Sequence, residues 1–162
     1  MTAKITPCLW YDGRAEEAAN LYVSLFPDSR VDAVVRSPAD NPSVGAGAVL
    51  LVHFTLAGAP YVALNGGPQF SFSEATSLQI DCADQAEVDH FWEGLASDGG
   101  EPGQCGWLKD RFGVSWQVIP RALNDYIGGP DPAGAARAMQ AMLGMHRLVV
   151  DELRAAYEGR SA

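Results

Sequence analysis

The sequence predicts an α+β fold made of two copies of a βαβββ unit followed by a helical appendage. Three observations carry this. Residues 9–26 (LWYDGRAEEAANLYVSLF) lie over residues 78–95 (LQIDCADQAEVDHFWEGL) at a constant offset of 69, and each copy reads as a strand, a polar turn and an amphipathic helix. Each helix is followed by short β-branched or alternating segments separated by turn residues. After Pro120 the pattern changes to helical spacing.

In the first copy, Ala15, Ala18, Tyr22 and Leu25 form one helical stripe, and Pro27 ends the helix. Strands are expected at 30–36, 48–56 and 60–65, the last two flanking the turn Ala57-Gly58-Ala59. The Pro/Gly/Ser-rich segment 37–47 between the first two is expected as a lid or dimer element. In the second copy, Asp84 and Glu87 resemble a capping box, and Val88, Phe91, Trp92 and Leu95 follow on one apolar face. Strands 104–109 and 114–119 flank Asp110-Arg111-Phe112-Gly113, with Lys109, Asp110 and Arg111 expected as a solvated hairpin tip. The appendage should hold a short helix at 121–127 and a helix from Pro132 capped by Asp131, with Ala136, Met139, Met142 and Leu143 on one side. A last helix is expected at 146–157. The organisation is therefore a single domain, 1–162, composed of modules 4–68 and 74–120 and C-terminal helices 121–158.

With 162 residues the chain is long enough to bury a core without disulfides. Eleven Lys and Arg against 20 Asp and Glu give a formal charge of −9, which disfavours a nucleic-acid partner. No window is apolar enough to cross a bilayer and no signal peptide opens the chain, so a cytoplasmic protein is expected. Cys8, Cys82 and Cys105 form no C-x-x-C pair and read as buried thiols.

Strand alternation assigns two faces. Cys8, Trp10, Val62, Leu64, Leu78, Ile80, Val114, Trp116 and Val118 should lie under the helices. Pro7, Leu9, Tyr61, Ala63, Asn65, Ser77, Gln79, Ser115 and Gln117 should form the other face, whose neutral hydrogen-bonding groups suit a small-molecule cleft. Asn65-Gly66-Gly67 reads equally as a turn or as ligand-binding backbone, and Trp107 equally as a core aromatic or a ligand contact. Trp10, Trp92 and Trp116 are assigned to packing.

The duplicated unit resembles the vicinal oxygen chelate superfamily. The segments ITPCLWYDGRAEEAANLYVSLFPDS, PYVALNGGPQFSF, QIDCADQAEVDHFW, CGWLKDRFGVSWQVIPRAL and MQAMLGMHRL resemble, more narrowly, the bacterial PhnB-like family, often labelled 3-demethylubiquinone-9 3-methyltransferase. The resemblance runs from about Lys4 to Tyr157. It implies a glyoxalase-like curved mixed sheet or open barrel around a cleft, and a homodimer. The metal-ligand positions of the superfamily's metalloenzymes fall near Pro7 or Ile5, at Ala63, near Ala75 or Ser77, and at Gln117; none is His, Asp or Glu. No metal and no cofactor are therefore expected. The methyltransferase label also lacks its expected motif: Asp12-Gly13-Arg14 is no glycine-rich turn, and Gly45-Ala46-Gly47 precedes a strand.

The expected function is a metal-free small-molecule-binding protein, with enzymatic chemistry left open. Tyr61, Asn65, Gly66, Ser77, Gln79, Trp107, Ser115 and Gln117 are the expected ligand-binding residues, and His53 is the acid/base candidate. A divalent-metal glyoxalase-like lyase or isomerase and a methyltransferase are the alternatives, the latter disfavoured.

Overall fold

The computed structural model describes residues 4–160, and the chain divides into two compact units, one up to Phe72 and one from Ser73. In the first, β1 (Cys8–Tyr11), α1 (Ala15–Leu25), β2 (Arg30–Arg36), β3 (Val49–Leu56) and β4 (Ala59–Asn65) follow in chain order. β1 runs parallel to β4, and the other pairs are antiparallel, giving the sheet order β1-β4-β3-β2. The β3–β4 hairpin closes through Ala57 and Gly58, both left-handed at φ 48° and 78°. α1 lies across β2, β3 and β4, where its Ala15, Ala18 and Ala19 permit a close approach and Tyr22 is fully buried. Segment 37–47 is closed on itself: Asn41 Oδ1 accepts the Ser43 and Val44 amides, and Asp40 Oδ1 accepts that of Ala46.

The second unit repeats the topology with β5 (Leu78–Cys82), α2 (Gln85–Ala96), β6 (Glu101–Pro102), β7 (Trp107–Lys109) and β8 (Ser115–Pro120), in the order β5-β8-β7-β6. The third strand required by the repeat is Glu101–Pro102, too short to show alternation. The strand expected at 104–109 begins only at Trp107. Cys105 and Gly106 are left-handed at φ 57° and 82°, and their amides donate to the carbonyls of Met145 and His146 at 2.7 and 2.8 Å. Asp84 Oδ1 accepts the Glu87 amide at 3.0 Å, while Glu87 Oε2 accepts that of Ala83 at 2.7 Å, one residue before the position a capping box uses. Val88, Phe91, Trp92 and Leu95 of α2 are buried, as are Ile80, Leu108, Trp116 and Val118 of the strands below. Each such side chain contributes roughly 1.5–3 kcal/mol relative to exposure.

One expectation is corrected at the β7–β8 turn. Asp110 is not solvated but 3% exposed. A carboxylate out of water needs donors, and Asp110 accepts from the Phe112 and Val114 amides at 2.9 and 3.0 Å and from Trp116 Nε1 at 2.9 Å.

Helices α3 (Ala122–Ile127), α4 (Pro132–Leu143) and α5 (Val150–Glu158) complete this unit. Asp131 caps α4 through the Ala133 amide at 3.0 Å. The buried residues of α4 are Gly134 and Ala138; Ala136 and Leu143, placed on one side with Met139 and Met142, are exposed. Gly134 sits too close to α5 for a side chain, since a Cβ there would lie 2.8 Å from the Tyr157 carbonyl oxygen. The last helix starts at Val150, not 146. Met145 and Leu148, which precede it, instead build a core with Leu123 and with Leu153 of the helix, with Met142 against it. Met142 and Met145 thus pack within the unit.

Candidate functional site

Each sheet has one face under a helix and an opposite, open face. In the second unit the alternation places Leu78, Ile80, Leu108, Trp116 and Val118 on the α2 side. Gln79, Gln117 and Trp107 then form one cross-strand row on the open face, and Lys109 and Ser115 the next. Gln117 Nε2 donates to Ser77 Oγ at 2.8 Å. Five sequence-expected residues (Ser77, Gln79, Trp107, Ser115 and Gln117) therefore share this face.

Lys109, expected at a solvated hairpin tip, also lies on this face. Its Nζ pairs with Glu74 Oε1 at 2.5 Å. That hydrogen bond holds the Glu74 carboxyl below the usual range and raises the Lys109 ammonium above its own. Beside the pair is a hollow of about 170 Å³ lined by Glu74, Glu101, Pro102, Gly103, Trp107, Leu108, Lys109 and Ser115. Ser115 is 1% exposed, and its Oγ has no hydrogen-bond partner among the described residues. A larger hollow of about 240 Å³ lies where α2, α3 and α5 begin, but polar groups lining it are already engaged. Asp84 holds the Glu87 amide, Gln85 bridges the Leu148 carbonyl and the Val150 amide, and Asp151 pairs with Arg154.

The first sheet corrects the expected faces. Tyr11 Oη lies 3.2 Å from Tyr22 Oη of α1, so Tyr11 points to the helix, and with it Asn65, the register partner of Tyr11. Tyr61 and Ala63 follow by alternation. Asn65 is 3% exposed; its Oδ1 accepts the Ala15 amide and its Nδ2 donates to the Val49 carbonyl, both at 2.9 Å. Tyr61 stacks on buried Phe54 at 5.4 Å, and burial raises its hydroxyl pKa. Tyr61 and Asn65 are thus not open-face residues. Cys8, Trp10, Leu51, His53, Val62 and Leu64 take that face instead.

Trp10 is accordingly not beneath the helix. Its Nε1 donates to the Gly67 carbonyl at 2.8 Å, and Phe70 meets it edge-on at 5.0 Å. A Cβ on Gly66 would lie 2.2 Å from the Trp10 ring. Gly66, expected to bind ligand through its backbone, is a buried packing residue whose amide donates to the Tyr11 carbonyl at 2.9 Å. The turn alternative is the one realised at Asn65-Gly66-Gly67.

His53 is exposed on the open face, in one row with Val62 and Cys8. Two strand spacings separate His53 and Cys8, about 10 Å between their Cα atoms. Cys8 is exposed, not buried as expected; Cys82 is buried and Cys105 intermediate. Of the metal-ligand positions implied by the superfamily, Ala63 faces α1, and its neighbours on the open side, Val62 and Leu64, carry no donor atom. Among the described residues, no three of His, Cys, Asp and Glu converge. Divalent ions are bound through such groups, so the donor set does not fit one.

Comparison with known proteins adds the relatives. A family model described as 3-demethylubiquinone-9 3-methyltransferase matches residues 3–119. Among solved structures, the chain is similar to a PhnB protein from Bacillus cereus described as a 3-demethylubiquinone-9 3-methyltransferase. Identity is 35%, over 73% of this chain and 99% of that one, with a TM-score of 0.64. Protein PA1353 from Pseudomonas aeruginosa shares the fold at 20% identity, over 71% of this chain and 95% of that one, with a TM-score of 0.59. A glyoxylase/bleomycin resistance protein/dioxygenase domain from Frankia sp. EAN1pec matches at 16% identity, over 72% and 89%, with a TM-score of 0.39. No curated protein matches. The two βαβββ modules, each a four-stranded sheet whose first and last strands run parallel side by side, define the fold class. Within that class the chain belongs to the 3-demethylubiquinone-9 3-methyltransferase, or PhnB-like, family.

Proposed function

We propose that this chain is a small-molecule-binding protein that uses the open face of its second sheet. The observation that carries the reading is the row of Gln79, Gln117 and Trp107, with the Ser77 hydroxyl bonded to the Gln117 amide beside it. Neutral amides and a hydroxyl fix the orientation of a polar ligand, and the half-buried indole offers a flat apolar surface. His53, exposed on the open face of the first sheet, is kept as the acid/base candidate. The homodimer implied by the resemblance and a cytoplasmic location belong to the same proposal; no helix among the described residues is long and apolar enough to cross a membrane.

The family description names a methyltransferase, but the reading for this chain is binding. β1 enters α1 through Asp12-Gly13-Arg14, without the glycine-rich turn that cradles a nucleotide-like cofactor. Thermal-shift screening of neutral polar compounds and of S-adenosylmethionine tests this. A stabilising compound whose effect is lost in Gln117→Leu is the expected result. Saturable S-adenosylmethionine binding would instead establish the methyltransferase, and stoichiometric metal surviving dialysis would establish the glyoxalase-like enzyme.

A further inference from the structure

Gln117 holds the middle of the open-face row, with Gln79 beside it on the parallel strand β5 and Trp107 on the antiparallel strand β7. Its carboxamide is held by one bond, from Nε2 to Ser77 Oγ at 2.8 Å. A carboxamide carries two N–H donors and an acceptor oxygen. The bond to Ser77 uses one N–H. Among the described residues, no hydrogen bond engages Gln117 Oε1 or any atom of the Gln79 carboxamide. Gln117 thus keeps one donor and one acceptor, and an indole stands next to it in the register. Such a pair is matched by a second amide edge, as a Gln side chain matches the adjacent donor and acceptor of adenine. Neighbouring strands lie about 4.8 Å apart, so a flat ring over Gln117 also reaches Gln79 and Trp107.

The surrounding charges make that ligand neutral. Lys109, one row along, pairs with Glu74, and Asp81, one row the other way, holds Arg121. Glu101 stands opposite Lys109 and adds a negative charge, which disfavours an anion. We propose that the row takes a flat, uncharged ligand with an amide edge, a carboxamide or a lactam. Its N–H faces Gln117 Oε1, its carbonyl faces the remaining Nε2 proton, and its ring lies against Trp107. The proposal rests on the reading of this face as a small-molecule surface and names the ligand class for it.

The test titrates the full chain, by calorimetry and tryptophan fluorescence, with benzamide, with methyl benzoate, which lacks the N–H, and with benzoate, which is charged. Benzamide should bind saturably, and the other two about fivefold or more weakly, the equivalent of one hydrogen bond. Gln117→Leu should abolish the preference for benzamide. Gln117→Met, close to Gln in length, should do the same and serves where the first variant fails to fold. Trp107→Phe should remove the fluorescence response. Ser77→Ala frees the carboxamide to rotate and should narrow the benzamide preference. Methyl benzoate or benzoate binding as tightly as benzamide overturns the proposal, as does benzamide affinity unchanged in Gln117→Met. If other compounds sensitive to Gln117→Leu bind while benzamide does not, the amide class falls and the binding face stands. If no small molecule binds, both fall.

Discussion

Asn65, the last residue of β4, caps α1 from 50 residues away: its Oδ1 accepts the amide of Ala15, the first residue of the helix, at 2.9 Å. The local N-cap, Arg14, makes no capping bond with its side chain, so an orphan amide of the helix start is met across the sheet. The same side chain donates to the Val49 carbonyl in β3, tying three elements together. Asn65→Ala takes this partner from the buried Ala15 amide and the half-buried Val49 carbonyl and should cost about 1–3 kcal/mol in guanidinium unfolding. Asn65→Asp keeps the acceptor but sets a carboxylate oxygen against the Val49 carbonyl in a buried site, so it should not restore the lost stability. Binding on the second sheet's open face should be unchanged in both; a loss of ligand binding without a loss of stability would return Asn65 to the ligand site.

Gly66 and Trp10 make a comparable pair on the opposite face. The indole occupies the space where a side chain at 66 would begin, with 2.2 Å to the nearest ring atom. Gly66→Ala should therefore displace the indole, stretch its bond to the Gly67 carbonyl, and destabilise by about 1–3 kcal/mol, as overpacking does. A shifted emission maximum, absent when the substitution is made in a Trp10→Phe background, is the spectroscopic check. An unperturbed spectrum would mean that the Trp10 ring does not hold this position in solution.

The second sheet was legible in the sequence because its alternation is chemically sharp. Leu78, Ile80, Trp116 and Val118 oppose Gln79, Asp81 and Gln117, so period two alone sorts them. In the first sheet both faces are apolar, with Cys8 and Trp10 on one side and Leu9 and Tyr11 on the other, and alternation does not choose. The deciding signal was present in the repeat: the offset of 69 places Leu9 on Leu78 and Tyr11 on Ile80, which puts Trp10 with Gln79 on the open face. Fold class, capping residues and the polar row followed from local pattern. The burial of Asp110 and the isolation of Ser115 Oγ did not, because both depend on which atoms the folded chain brings near them.

The three thiols should differ sharply in reactivity. Cys8 is exposed, although partial desolvation raises its pKa, whereas Cys82 is fully buried and pushed up to about 12, chiefly by desolvation and then by Glu87 and Asp81. Alkylation at mild alkaline pH should label Cys8 first and Cys82 only on unfolding. A folded-state pKa above the ordinary 9.0 means that the folded protein holds this proton more tightly than the unfolded one. The resulting stability is fully present below pH 9 and is lost as pH rises toward 12. Between pH 8 and 11 the wild type should thus lose more stability than Cys82→Ala, and equal losses would show that Cys82 ionises freely in the fold.

Asp110 and Trp116 hold the β7–β8 hairpin in the register that sets Lys109 opposite Ser115. The carboxylate serves two turn amides through one oxygen and the buried indole N–H through the other, so its removal orphans three donors at once. Asp110→Ala should cost about 3 kcal/mol or more, beyond the usual range for a single neutral bond. Trp116→Phe removes one of the three bonds and some buried area. In a double-mutant cycle it should couple to Asp110→Ala by about 0.5–3 kcal/mol, the range for residues in direct contact. Because the hairpin carries the open-face row, Asp110→Asn, the milder change, should weaken small-molecule binding along with stability, whereas Asn65→Ala should lower stability alone. Stability and binding that move together in Asp110→Asn but separate in Asn65→Ala would place the binding face on the second sheet; the reverse pattern would place it on the first.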